Sequence, residues 1–331
     1  VSVNNRPTKK KGKHKAGRRS GRGKTAPGTH VPIMVSEVVN CLEPGPGQTV
    51  VDCTLGYGGH ARKFLQKIGP EGRLIGLDCD AKELARTAKR LKKFGDAFVP
   101  RRANFSELEE VLGELEISKV DIIFADLGLS SMQIDDPGRG IHYKNDGPLD
   151  MRMDDRLERT AADVVAEISE EELAEALWKY SDEPDSGVIA AFICGQRQAA
   201  PITRVDQLKR IVLNAKGLTE ATWKKQQKSQ SFGGAHPAAR TFQALRILVN
   251  DELGALEQLL EAAPGCVKAG GRIGIISFHA GEDRLVKNAF REGLKKGVYQ
   301  AVSKGAITPR QGEIRKNPRS SSARFRWAQL A

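Results

Sequence analysis

The sequence has no run approaching about 18 uncharged apolar residues, which argues against a membrane-spanning helix. It has only five cysteines, Cys41, Cys53, Cys79, Cys194 and Cys266, scattered and odd in number. No Cys-x-x-Cys and no Cys/His pair has metal-ligand spacing, so a disulfide scaffold and a zinc site are both poor readings. No metal is expected, and a reducing, cytoplasmic compartment fits better. Residues 1–29 contain no acid and no apolar core, so a secretory signal is excluded there. Their Lys-Lys-Lys and Gly-Arg-Gly runs also make a poor transit helix. No internal repeat is visible.

The chain of 331 residues is long enough for one large domain or two ordinary ones. With 39% hydrophobic and 28% charged residues, a packed core is expected and global disorder is not. The net charge of +12 is unevenly placed. Residues 1–29 hold ten Lys/Arg, and Arg284–Arg326 hold twelve against Glu292 and Glu313. The stretch 30–283 is left with 31 basic and 39 acidic residues, a balance of −8. A mildly acidic body with basic ends suits contact with a polyanion. The first 29 residues are expected to be a disordered basic arm that binds nucleic acid.

Along the body, Pro32–Leu42 reads as a short helix, and Gln48–Thr54 as a buried β-branched strand. The loop Leu55-Gly-Tyr-Gly-Gly-His60 opens a helix to Ile68. Strands at Arg73–Asp78, Ala97–Arg101 and Val120–Asp126 alternate with helices at Ala81–Lys93 and Asn104–Leu115. This alternation predicts an α/β fold, an open parallel sheet with helices on both faces. In such sheets the ligand lies beyond the carboxyl ends of the strands, where Gly56–His60, Asp78, Phe105 and Asp126 converge. From about Ile134 to Ser231 the pattern is charged and helical, with candidate helices at Leu157–Val165, Glu170–Tyr180, Gly187–Gln198 and Val205–Asn214. One long helix is expected over Ala238–Leu260, and Gly270–His279 restores a buried strand.

Gly56-x-Gly58-x-x-Ala61 with Asp78 fits the loose dinucleotide fingerprint, so an NAD-dependent oxidoreductase is one reading. The same features suit S-adenosylmethionine equally well. Asp52, inside the first strand, and Asp126, followed by Leu127-Gly-Leu-Ser-Ser131, favour the second ligand, because a carboxylate beside a sulfonium is useful when the acceptor is an amino group. Each of these acids also fits a helix cap or a turn.

Ordered blocks from His30 to about Ala328 carry a resemblance. They include His30-Val-Pro-Ile-Met-Val-Ser-Glu37, Asp52-Cys-Thr-Leu-Gly-Tyr-Gly-Gly-His60 and Asp126-Leu-Gly-Leu-Ser-Ser-Met-Gln133. Asp135-Asp-Pro-Gly-Arg-Gly140, Asp146-Gly-Pro-Leu-Asp-Met-Arg-Met-Asp154 and His236-Pro-Ala-Ala-Arg-Thr-Phe-Gln243 follow. Ile275-Ile-Ser-Phe-His279 with Glu282-Asp-Arg284, and Asn317-Pro-Arg-Ser320, complete them. With these blocks the chain resembles the MraW/RsmH type of S-adenosylmethionine-dependent methyltransferase. That family modifies the N4 amino group of a cytosine in small-subunit (16S) ribosomal RNA, near the decoding centre.

The resemblance implies a class I (Rossmann-like) methyltransferase domain, 30–133 and 232–331, interrupted by a helical substrate-recognition domain, 134–231. It implies cofactor contacts at Gly58, Gly59, His60, Asp78, Phe105, Asp126 and Gln133, with Asp78 on ribose hydroxyls and Phe105 near adenine. Asp126 and the backbone carbonyls of Leu127–Ser130 are the candidate acceptors beside the reacting nitrogen, and His279 is a second, as proton acceptor or base-positioning group, with a structurally hydrogen-bonded strand-end histidine as the alternative. Asp150, Arg152 and Asp154 are candidates to order a loop over the base. Arg139, Arg240 and Arg246 are candidates for phosphates or base edges; for these three, and for Asp150, Arg152 and Asp154, ion pairing inside the protein is the alternative. Arg315, Lys316, Arg319, Arg324 and Arg326 form the stronger candidate RNA surface, where Phe325 and Trp327 are expected to pack on the sheet, with stacking on bases as the alternative. The expected partner is small-subunit ribosomal RNA or the small ribosomal subunit, with no membrane; a homodimer is compatible with this. Tyr180–Gly187 and Ala280-Gly281 depart from the family's usual pattern. A DNA amino-methyltransferase and a ribosome-assembly RNA-binding protein with weak or no catalysis are the alternatives.

Overall fold

The computed structural model describes residues 32–229 and 236–331. The basic arm 1–29, His30 and Ser231 lie outside the described residues. The chain opens with α1 (Val35–Leu42), β1 (Thr49–Asp52), α2 (Gly59–Ile68), β2 (Arg73–Leu77), α3 (Ala81–Leu91) and β3 (Phe98–Arg101). It continues with α4 (Leu108–Glu114), β4 (Val120–Asp126) and α5 (Ser131–Asp135). Then come α6 (Ala161–Glu167), α7 (Glu170–Ser181), α8 (Ser186–Ala199), α9 (Val205–Ala215), α10 (Glu220–Ser229) and α11 (Ala239–Asn250). The last elements are α12 (Glu252–Cys266), β5 (Val267–Ser277), α13 (Ala280–Lys295), β6 (Tyr299–Val302), α14 (Gln311–Lys316) and β7 (Arg324–Leu330).

Seven strands form one sheet in the order β3-β2-β1-β4-β5-β7-β6. The five strands β1 to β5 run parallel, and β7 is antiparallel to both β5 and β6. The strand order reverses between β1 and β4, which makes the crevice at their carboxyl ends the natural ligand position.

Side chains alternate across the pleat and so feed two cores. Val50, Leu74, Ile122, Phe124 and Phe325 pack under α1 and α2 on one face. Val51, Ile75, Ile123, Ala125 and Ile273 pack under α4, α12 and α13 on the other. Phe64 of α2 is fully buried and meets Phe124 edge-on, with centroids 5.4 Å apart, so its truncation to alanine is expected to cost about 3–5 kcal/mol. Phe325 is fully buried and Trp327 packs against the same core, as expected of them.

A third core is helical. Val165, Leu173, Leu177, Ile189, Ile193, Leu208 and Val212 from α6 to α9 close on Phe242 and Leu245 of α11. It therefore runs past residue 231 into α11. The first of these helices starts later than Leu157, because Thr160 and Asp163 form a capping box at the N-terminus of α6. The single helix expected over Ala238–Leu260 is two. The break falls at Asp251, which takes the left-handed conformation (φ 46°) between α11 and α12. Aspartate tolerates that conformation, so neither glycine nor proline marks the break. The divergent Tyr180–Gly187 segment is the turn from α7 to α8, held by buried Glu183, whose carboxylate accepts from Lys216 Nζ at 2.6 Å.

Candidate active site

The turn from β1 into α2 shapes the site. Gly56 has φ 44° and donates its N–H to Asp78 Oδ2 at 2.9 Å. A Cβ at Gly56 would meet nothing closer than the Thr54 carbonyl at 3.8 Å, so this backbone stands clear of neighbouring side chains. Gly58 differs: with φ 78°, a Cβ there would lie 2.7 Å from Thr87 Cγ2 of α3. Gly58 therefore lets α3 pack closely, and Gly59, which borders the cavity, makes room for Pro32, whose Cβ would lie 2.7 Å from a Cβ there.

A cavity of about 590 Å³ lies at the carboxyl ends of the strands. It is bordered by Thr54–Tyr57, Asp78, Phe105 and Asp126 of the sheet half, by Met153, Asp154 and Leu157 after α5, and by Gln243, Arg246 and Asn250 of α11. Of the residues singled out from sequence, Gly59, His60, Asp78, Phe105, Asp126, Gln133, Asp154, Arg246, His279 and Arg319 line it. Gly58, Arg139, Asp150, Arg152 and Arg240 do not.

Those four charged residues have partners within the protein. Arg139 pairs with Asp80, which also caps α3. Asp150 and Arg152 hold each other through two bonds of 2.8 and 2.9 Å. Arg240 donates to the Asp182 carbonyl at 2.6 Å. Arg246 lines the cavity but is paired with Glu252 at 2.6 and 2.9 Å. At the C-terminal end, Arg324 and Arg326 both meet Asp283, while Arg315 and Lys316 stay exposed. Arg319 is half exposed at the cavity and reaches Asp135 at 3.2 Å.

Asp126 ends β4, anchored by its N–H donating to Thr54 Oγ1 at 2.6 Å. Its Oδ2 lies 3.6 Å from His60 Nδ1, and its buried Oδ1 has no hydrogen-bond partner among the described residues. The Ile33 carbonyl, 2.8 Å from His60 Nε2, can only accept, so that nitrogen carries the hydrogen and Nδ1 faces the carboxyl. Burial, then the charges of Asp52 and Glu282, push the Asp126 carboxyl well above the ordinary carboxylate range. Burial also raises Asp78 and the fully enclosed Asp52, each to about 7.

His279 caps α13: its Nδ1 accepts the Glu282 N–H at 3.4 Å, and its Nε2 lies 3.1 Å from Glu282 Oε1. Burial works to raise Glu282, but His279, the Phe278 N–H and Arg246 together hold it below the usual range. Sequence reasoning gave Glu282 no role. Its signal was local, an acid three residues after a capping residue. Gln133 is likewise in a capping box, its Oε1 accepting the Ser130 N–H at 3.0 Å.

Six acids line the cavity, Asp78, Glu83, Asp126, Asp154, Glu252 and Glu282, against the cations Lys144, Arg246 and Arg319. An acid-rich crevice with an unpartnered buried carboxyl oxygen and an open glycine turn fits a cationic nucleoside such as S-adenosylmethionine. Among the described residues, no group of His, Cys, Asp and Glu is arranged to hold a metal ion.

Comparison with known proteins places the chain. It is 38% identical over 311 residues to "Ribosomal RNA small subunit methyltransferase H 2" of Alkaliphilus metalliredigens, covering 93% of this chain and 87% of that one. It is 41% identical over 299 residues to "Ribosomal RNA small subunit methyltransferase H" of Sorangium cellulosum, covering 90% of each. The protein of the same name from Geobacter sulfurreducens is 41% identical over 91% of this chain and 98% of its own length. The family profile described as the MraW methylase family matches residues 28–331. With that match over almost all of its length, and with a crevice suited to a sulfonium ligand, the chain belongs to the MraW methylase family of S-adenosylmethionine-dependent methyltransferases.

Proposed function

We propose that this protein transfers a methyl group from S-adenosylmethionine to the N4 amino group of a cytosine in small-subunit ribosomal RNA. The relatives are named for methylation of that RNA, and the observation that carries the chemistry is the unpartnered, buried Asp126 oxygen at the end of β4. S-adenosylmethionine, when bound, supplies an electrophilic methyl carbon on a sulfonium.

The residues that would hold it are Asp78 toward the ribose, Phe105 toward the adenine and the Gly56–His60 turn toward the methionine. The N4 lone pair is delocalised into the ring, so the protein must align it and accept the proton released as the new N–C bond forms. Asp126 is suited to that task. Its raised proton affinity makes it a stronger base than an ordinary carboxylate, and its second oxygen lies 3.6 Å from His60 Nδ1. His279 Nδ1 caps α13, while its buried Nε2, 3.1 Å from Glu282 Oε1, makes no hydrogen bond among the described residues, so His279 positions the loop at the end of β5 and is the second candidate acceptor.

The substrate is the small subunit or its RNA, and the reaction requires the target base to leave its stack and enter the cavity. The exposed Arg315 and Lys316 and the basic residues 1–29 supply charge for phosphates. No helix among the described residues is long and apolar enough to cross a membrane.

The test is transfer of labelled methyl to isolated small subunits, to naked ribosomal RNA and to DNA. Wild-type protein is expected to label the subunit or its RNA at a cytosine N4. Asp126→Ala is expected to bind the cofactor but lose transfer by at least about a hundredfold. Near-normal turnover in a folded Asp126→Ala protein would remove Asp126 from the chemistry. Label on DNA alone would give the substrate to the DNA alternative.

A further inference from the structure

One set of side chains at the cavity has no part in the reading above. His142 lines the cavity, and its ring lies 4.1 Å from that of Tyr143 at a tilt of 36°. Tyr143 in turn stacks on His236 at 4.4 Å and 19°. Trp223 meets His236 edge-on at 5.7 Å, and Phe242 meets Tyr143 edge-on at 6.1 Å. The neighbouring rings of His142 and Tyr143 and the distant ring of His236 therefore lie one against the next, braced from the side by two more. Tyr143 lies between the two histidines, and His142 is the ring at the cavity.

Both histidines are held in place. His142 Nδ1 accepts the Lys144 N–H at 3.1 Å, and His236 Nδ1 accepts the Ala238 N–H at 3.1 Å. Burial lowers the His142 imidazole to about 4, helped by the nearby charges of Lys144 and Arg319, so the ring is uncharged near neutral pH. Lys144 and Arg319 line the same cavity. A flat neutral ring beside two cations is the arrangement that receives a nucleotide, the base on the ring and the phosphates on the cations.

The geometry points to His142 as the stacking platform for the acceptor nucleotide, with Lys144 and Arg319 as its phosphate contacts. This rests on the RNA substrate proposed above. Stacking on a ring already backed by Tyr143 and His236 adds a further layer to a prebuilt pile, so little ordering is needed at binding. It would hold an unstacked base at the cavity before methyl transfer.

The test compares binding of a short oligocytidylate and of an abasic ribose-phosphate strand of equal length. His142→Ala is expected to weaken the oligocytidylate by about tenfold and to leave the abasic strand unchanged. His142→Phe, which keeps a ring, is expected to stay within about twofold of wild type, and His142→Leu, which fills space without a π face, to resemble the alanine variant. In methyl transfer, His142→Ala should raise KM for RNA while cofactor affinity and melting temperature stay at wild-type values. Equal losses on both strands, or a phenylalanine variant no better than leucine, overturn the assignment. The phenylalanine–leucine comparison decides the matter even where alanine fails to fold. A wild-type protein that methylates no small-subunit RNA defeats the substrate reading instead, and so is told apart from an active wild type with indifferent His142 variants.

Discussion

Asp52, Asp78 and Asp126 are acids gathered at the strand ends at a cost to the unliganded protein. Asp52 and Asp78 move from an ordinary value of 3.8 to about 7. In that interval the folded chain binds more protons than the unfolded chain. Their contribution to stability is therefore complete below about pH 4 and is lost as pH rises through about 7. A cationic ligand reverses the balance by favouring the charged carboxylates. S-adenosylmethionine affinity should accordingly rise with pH through about 7, with protons released on binding. Calorimetry in buffers of different ionisation heat measures that release, and the same apparent heat in every buffer would refute it. By the same argument Asp126→Asn removes a buried acid crowded by Asp52 and Glu282. Above neutral pH it should raise the unliganded melting temperature, by roughly 1 kcal/mol of stability, while transfer is lost. A melt of the two proteins at matched pH checks this.

At the scale of elements, the β1–α2 turn separates two glycine roles. Gly58→Ala forces a side chain into the left-handed region and against Thr87, so a loss of about 1–3 kcal/mol is expected in denaturant unfolding. A loss within about 0.5 kcal/mol would show that α3 yields easily. The strands of this half were legible because each is a β-branched run closed by an acid or a turn, and the crevice followed from their order. The late elements were not. In β7, Arg324 and Arg326 flank buried Phe325, and the basic composition hides an alternating strand. The left-handed break at Asp251 leaves no mark in the sequence, since aspartate is equally at home on a helix surface. Substrate roles proposed for Arg139 and Arg152 met the same difficulty. Arg152 finds Asp150 two residues away, but Arg139 finds Asp80 across 59 positions, which no local spacing reveals. What sequence could read was backbone geometry and strand ends; what it could not read was which charges the folded chain would neutralise.

Across the whole molecule, this distinction between paired and exposed charge determines how the basic ends act. Arg326 is 11% exposed and grips Asp283 at 2.7 and 3.1 Å, joining β7 to α13. Arg315 and Lys316 stand exposed on α14, close in sequence to cavity-lining Asn317 and Arg319. The two sets should separate experimentally. Arg326→Ala leaves Asp283 with Arg324 alone and should cost about 2 kcal/mol of stability, with little change in the salt dependence of RNA binding. A double Arg315→Gln, Lys316→Gln variant should melt as the wild type does but flatten the slope of log affinity against log salt, by about 0.7 for each phosphate that the protein no longer neutralises. Removing residues 1–29, with their ten cations, should flatten it further if the arm lies along RNA. Titrations at several salt concentrations read all three. A slope untouched by both the double variant and the truncation would mean that RNA is held mainly by the cavity and its rim, leaving the net charge of +12 without a binding role.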